Sequence, residues 1–237
     1  MTKLYLRDYL LTHSFADLER DHGVLARPNA LGDKHSLNYD QIMAKNGDPI
    51  ADQCRGLIIR LWNPLKLDDC DRTVGGFDVL AWPMNRFYNL GQGGAVEINW
   101  SSADLRILEK VDGTCCIIYW DPLHGQWHVA TRAVSEADLP INYNNNLRLP
   151  DIGVITFAGL FKIGVENTTK MSYDAFMNRL DKTCTYVFEL TSPYNKVVLE
   201  YPETKVTLLA VRVTAPGVEL DPRPIAGELG VLSPGFY

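Results

Sequence analysis

The sequence predicts a mixed α and β chain whose strands pair antiparallel. Three observations carry this. Apolar residues at Leu4, Leu6, Leu10, Leu11, Phe15 and Leu18 recur at the spacing of an amphipathic helix. The apolar run Cys115-Cys116-Ile117-Ile118-Tyr119-Trp120 is followed by Asp121-Pro122-Leu123-His124-Gly125, a turn sequence, and then by the return run Gln126 to Arg132. Two such runs around a tight turn read as an antiparallel hairpin. Further strand-like runs recur at residues 54–62, 79–83 and 205–212 and in the stretch that begins at Tyr186, separated by polar or Gly- and Pro-bearing connectors.

Taken in order, the first helix is broken near Thr12-His13-Ser14. Residues 23–34 read as a loop, 35–44 alternate loosely as a strand, and Asn46-Gly47-Asp48-Pro49 is a turn. The run at 54–62 is a buried strand entered by Arg55-Gly56. That at 79–83 is a short strand stopped by Pro83. Arg86, Phe87, Tyr88 and Asn89 follow it, and paired aromatics most often pack in a core or at its rim. His124 and His128 fall in the hairpin turn and on a strand surface. Residues 140–150, with Asn144-Asn145-Asn146, are a polar loop. Residues 153–180 mix short apolar runs, of which 172–180 read as a helix capped by Ser172. From Ala215 the tail shows no clear period, and there is no internal repeat.

At 237 residues the chain is one large domain or two small ones, with ample apolar content for a core. No secretory signal is visible, and no apolar run is long enough to span a bilayer. The five cysteines (Cys54, Cys70, Cys115, Cys116, Cys184) form no Cys-x-x-Cys pair, which points to free thiols in a reducing cytoplasm and away from zinc. A net charge of −6 argues against an extended nucleic-acid footprint but leaves room for a local basic groove.

Three stretches carry chemistry. The first is Glu109-Lys110-Val111-Asp112-Gly113. A Lys-x-Asp-Gly match arises by chance in about one chain in twenty of this length, on average residue usage, so it means little alone. Its bland reading is a surface lysine beside a turn, where Gly113 tolerates positive φ. Its sharp reading is a covalent nucleophile that attacks the α-phosphate of a nucleoside triphosphate. Lysine is a poor nucleophile while protonated, so desolvation or nearby cations must favour the free amine. The apolar strand after Lys110 offers the desolvation, and Asp112-Gly113 offers close backbone approach to a nucleotide. The second stretch is Arg55-Gly56, read either as an edge charge or as an arginine facing phosphate or ribose. The third is Phe188-Glu189-Leu190, where a carboxylate interrupts an apolar strand. It lies either on a solvated face or beside a cation or metal. Arg132, at the far end of the return strand, is expected close to Lys110.

These stretches, in this order and spacing from about Tyr39 to Arg212, resemble the bacteriophage-type ATP-dependent single-strand RNA ligases of the covalent nucleotidyltransferase superfamily. The carriers are Cys54-Arg55-Gly56-Leu57-Ile58, the segment from Trp82 to Leu90, Glu109 to Gly113, Thr131-Arg132, the block from Phe188 to Leu199, and the strand from Lys205 to Arg212. The resemblance implies an α+β fold in which antiparallel sheets form a nucleotide cleft, with helices outside. It implies Lys110 as the adenylylated nucleophile, with Glu109, Asp112, Gly113, Arg55, Arg86, Phe87, Asn89, Arg132 and Glu189 around the nucleotide, and Glu189 also toward a metal. ATP and Mg²⁺ are the implied cofactors and RNA ends, a 5′-phosphate and a 3′-hydroxyl, the implied partners, in the host cytoplasm if the chain is phage-encoded. Arg132 stands in Thr131-Arg132-Ala133-Val134 where the family has a Ser-Lys-Gly-Ser-like segment, and Arg86 where relatives carry a lysine. A later Glu-Gly-hydrophobic-Val strand and a Lys-x-Lys strand of the family are not found. Residues 1–237 therefore read as an adenylyltransferase domain without its last strands or any C-terminal domain. Two other readings remain open: a catalytically weak nucleotide- or RNA-end-binding module, and a DNA-joining or capping-type nucleotidyltransferase.

Overall fold

The computed structural model describes residues 2–64, 71–138, 141 and 156–237. Apart from Ile141, the Asn-rich loop expected at 140–150 lies outside them, as does Cys70. Among the described residues two antiparallel sheets form. The first has four strands in the order β1 (Val24–Pro28), β2 (Lys34–Tyr39), β3 (Arg55–Leu61), β4 (Phe77–Ala81). The second has five, in the order β6 (Gln126–Thr131), β5 (Thr114–Asp121), β7 (Cys184–Thr191), β8 (Lys205–Val213), β9 (Val218–Leu220).

Each sheet carries helices and a core of its own. The first packs α1 (Tyr5–Leu10), α2 (Phe15–His22) and α3 (Pro49–Gln53) through Leu6, Leu10, Leu18, Leu37, Leu57 and Phe77, among others. The second packs α4 (Phe157–Thr169), α5 (Tyr173–Met177) and α6 (Pro222–Leu229) through Phe161, Phe176, Phe188, Leu208 and Leu229. A small third cluster (Ile58, Leu80, Ala81, Ile117, Tyr119, Ala130) joins β3 and β4 to β5 and β6. The α+β fold of antiparallel sheets is thus observed. The break in the first helix is a new start: the Ser14 hydroxyl accepts from Asp17 N at 3.1 Å while the Asp17 carboxylate accepts from Ser14 N at 3.0 Å, the reciprocal cap that opens α2.

Three expectations are corrected. Residues 23–34 are not all loop, because β1 pairs with β2 from Val24↔Tyr39 to Pro28↔His35. It is an edge strand, paired on one side only, which is where proline is tolerated. Within 153–180 the chain forms the 13-residue α4, capped by Thr156. Its glycines and threonines obscure the helical pattern. Gly164 is there because a Cβ would lie 2.9 Å from Val206 Cγ1, so small size lets α4 press onto β8. The tail is ordered as well. A three-residue β9 is too short to show a period, and Asp221-Pro222 opens α6 as cap and first helical proline.

Candidate active site

The two sheets meet closely at the start of β3. Gly56 has φ +85°, and a Cβ there would stand 2.5 Å from Ile117 Cδ1 and 3.0 Å from Arg132 Cα. Glycine is needed both for the positive φ and for the approach. The Ser36 hydroxyl donates to the Arg132 carbonyl at 3.2 Å across the same contact. The neighbouring Arg55 is buried, with its guanidinium 4.9 Å from the Phe87 ring centroid and Nη1 3.9 Å from Cys115 Sγ. Cys115 is the cross-strand partner of Glu189. Arg55, Cys115 and Glu189 are thereby drawn to one end of β5.

Glu189 is half-buried in the middle of β7 and accepts a hydrogen bond from Gly113 N at 2.9 Å. Burial pushes its carboxyl pKa up, opposed in part by that N–H and by the charges of Arg55, Lys110 and Arg132. The charges of three predicted cations thus reach one predicted carboxylate, with none of them in an ion pair with it among the described contacts. Phe87, 61% exposed, offers a ring face beside Arg55 rather than a core contact.

The other predicted residues sit differently. Lys110 is exposed, and β5 begins only at Thr114, so the apolar strand does not desolvate it. Asp112 faces the chain, with its Oδ2 accepting from Val198 N at 2.8 Å and Leu199 N at 2.9 Å. These two bonds hold its pKa below the ordinary carboxylate value. Its own N–H donates to the Tyr201 hydroxyl at 3.3 Å. Gly113 does not use a positive φ. It is glycine because a Cβ would lie 2.3 Å from the Leu190 carbonyl oxygen, so the close backbone approach is to β7. Glu109 is turned to the tail, where Oε2 accepts from Gly235 N at 3.3 Å. Arg86 is held away from Glu189. It lies 4.4 Å from the Tyr39 ring and 4.8 Å from Tyr88, and donates to Asn46 Oδ1 at 2.9 Å. The Asn89 backbone closes an exposed turn with Gln92.

Sequence reasoning missed what ties this region together. Buried Asn195 donates to the Thr114 hydroxyl, and Tyr201 and the backbone at 198–199 hold Asp112. The Phe188-to-Leu199 block marked the segment without revealing its partner. Gly113→Ala should cost about 1–3 kcal/mol, the usual range for a forced extra methyl in a packed position. It should also weaken the Gly113–Glu189 bond, and denaturant unfolding checks the loss.

A second polar cluster lies at the other end of β5. Asp121, fully buried, receives Arg60 Nη1 and Nη2 at 2.8 and 2.6 Å, Lys34 Nζ at 3.2 Å and His124 Nδ1 at 2.8 Å. Lys34 also pairs with Glu136. His128 is not a strand-surface residue, since its side chain is 10% exposed and Nε2 lies 3.6 Å from Asp121 Oδ2. Asp121, His124 and His128 have the spacing of a metal site. The Asp121 oxygens, however, are already bonded to two cations that would repel a third. At Glu189 one carboxylate oxygen holds Gly113 N, which leaves the other to accept from a ligand.

These observations define a class: an antiparallel α+β fold whose sheets meet beside a half-buried carboxylate within reach of the charges of two arginines and an exposed lysine. No family model matches the chain. Over 177 residues it is 28% identical to a putative bifunctional polynucleotide kinase/RNA ligase of Autographa californica nuclear polyhedrosis virus, covering 70% of this chain and 22% of that protein. Over 247 aligned residues it is 24% identical to an RNA ligase of Rhodothermus phage RM378, covering 91% of this chain and 51% of that one. Its fold is similar to that of an archaeal ATP-dependent RNA ligase, with a TM-score of 0.52 at 13% identity, over 93% of this chain and 48% of the other. The chain thus spans about half, or less, of the length of these relatives. No helix among the described residues is long and apolar enough to cross a membrane.

Proposed function

We propose that the chain is the nucleotidyltransferase part of an ATP-dependent RNA ligase, with Lys110 as nucleophile. The placement of buried Arg55 against Cys115 and exposed Phe87, beside Glu189 and its bond from Gly113, carries this reading, and the RNA ligase names of its relatives support it. Lys110 Nζ, after losing its proton to solvent, forms a bond to the α-phosphorus of ATP. The bond from that phosphorus to the bridging oxygen breaks, pyrophosphate leaves, and nitrogen sheds a second proton. In the next step the RNA 5′-phosphate displaces lysine from AMP. A 3′-hydroxyl then attacks the activated 5′-phosphate, joins the ends and releases AMP. Such transfers depend on positioning and on neutralising phosphate charge.

In this scheme Arg55 and Arg132 supply positive charge beside the phosphates, and exposed Phe87 offers a ring for the base. Glu189 accepts from a ribose hydroxyl while keeping Gly113 in place. Because Lys110 is exposed in the free chain, its desolvation must come from the docked nucleotide. No step is assigned to magnesium, which would arrive with the triphosphate.

A nucleotide that binds only the folded state raises its stability by mass action. ATP should therefore give a larger thermal shift than GTP at equal concentration. The reverse order would favour a capping-type reaction. Acceptor choice is tested by ligation of 5′-phosphorylated RNA against DNA of the same sequence, with RNA expected to be joined.

A further inference from the structure

The segment bearing Lys110 has no regular structure of its own, yet it is held on both sides. On one side Asp112 is bound to the β7–β8 connection, as above. On the other, residues 107–109 pair with the tail. Leu108 and Phe236 form an antiparallel bridge. Glu109 N donates to the Gly235 carbonyl at 2.8 Å, and Tyr237 N to the Ile107 carbonyl at 3.0 Å.

The tail comes to this place from β8. Leu208 N donates to the Leu232 carbonyl at 2.8 Å, and Thr207 bridges Leu232 in parallel. Thr207 is also the cross-strand partner of Glu189. One short stretch, residues 232–237, thus links the strand beside the carboxylate to the residue before the lysine.

We infer that residues 235–237 are a positioning strand for Lys110: they touch no reacting atom but set where the lysine backbone stands relative to Glu189. The inference rests on Lys110 being the nucleophile, as proposed above. Its physical basis is a contrast of scales. The side chains involved are largely exposed, with Leu108 at 50%, Phe236 at 58% and Tyr237 at 79%, so the pairing contributes little to global stability. Displacing a reacting group by about 1 Å, by contrast, can cost about a hundredfold in rate. The strand therefore matters to reaction rate far more than to folding.

The test compares the full chain with a chain lacking residues 235–237 and with Tyr237→Pro, which keeps the length but removes the donor to Ile107. The readouts are the rate of AMP adduct formation across ATP concentrations, amide hydrogen exchange at residues 107–109, and the thermal midpoint. The deletion should accelerate exchange at 107–109 and lower the limiting adduct rate by about ten- to a hundredfold. The half-saturating ATP concentration should move less than twofold and the midpoint should stay in place. Tyr237→Pro should fall between the two. An unchanged limiting rate, unchanged exchange, or a raised half-saturation with an intact limiting rate would each overturn the inference. If the full chain itself forms no adduct, the ligase reading fails first and the inference with it.

Discussion

Incubated with ATP and magnesium, the chain should gain the mass of one AMP, and peptide mapping should place it on Lys110. Lys110→Ala should reduce the adduct to background, because no other described lysine shares its surroundings. Lys110 acts on Glu189 together with Arg55 and Arg132. Lys34 is enclosed by Asp121 and Glu136. Lys205 is paired with Glu203 at 2.9 Å, and Lys162 faces the Tyr173 ring at 6.0 Å. An adduct mapped to Lys162 or Lys205 would sink the assignment. Arg55→Ala and Arg132→Ala keep the nucleophile and remove charge from the site. Loss of one preorganised donor to developing charge typically costs about a hundred- to a thousandfold in rate, so both variants should label slowly.

Asp121→Ala should be strongly destabilising, by about 3–5 kcal/mol, the range for breaking a buried ion pair from one side. It would leave Lys34, 1% exposed, and Arg60, 12% exposed, without their shared acceptor. The same cluster predicts a pH dependence. Burial alone would raise the Asp121 pKa, but Arg60, His124 and Lys34 outweigh it and hold the carboxyl well below its ordinary value. A carboxyl with a depressed folded-state pKa contributes stability that is present above the unfolded value and lost as pH falls through the folded one. The native chain should therefore keep this contribution through pH 4 and lose it only in stronger acid. Asp121→Ala should lack that part of the acid dependence. Denaturant unfolding at a series of pH values measures both, and a loss under about 1 kcal/mol would show that the cluster relaxes without its centre.

The strands that organise the site were legible because their signals are local. The hairpin at 114–131, the buried β3 and β8 all announce themselves by apolar runs, and Arg55, Lys110 and Glu189 by charges that interrupt or border such runs. What was not legible depends on partners distant in sequence. Whether Glu189 is solvated or half-buried beside Arg55 and Gly113 is decided by the start of β3 and the chain just before β5 packing on it, and alternation along β7 cannot show it. The need for glycine at 113 comes from a carbonyl on another strand. Arg86 carries the right charge in the right order, yet Tyr39, Tyr88 and the loop at 44–46 hold it, a choice made by packing. Asp121 looked like an ordinary turn residue, since the Asx hydrogen bond from Leu123 N that marks such turns is present. Only the neighbouring sheet reveals it as the centre of a charge cluster.

The small cluster between the sheets does not hold them alone. Each sheet is anchored to its own helices by a large core, and the two are joined by a six-residue apolar cluster, by buried Trp82 against Thr185 and Arg212, and by the Asp121 ion pairs. The Asp121 charges clasp the sheets at one end of β5, and Glu189 lies toward the other, about 20 Å away for seven strand residues. The seam between the sheets is thus braced like a plank nailed at both ends, by charge at Asp121 and by close backbone packing at Gly56, and the Glu189 carboxylate stands on its fixed wall.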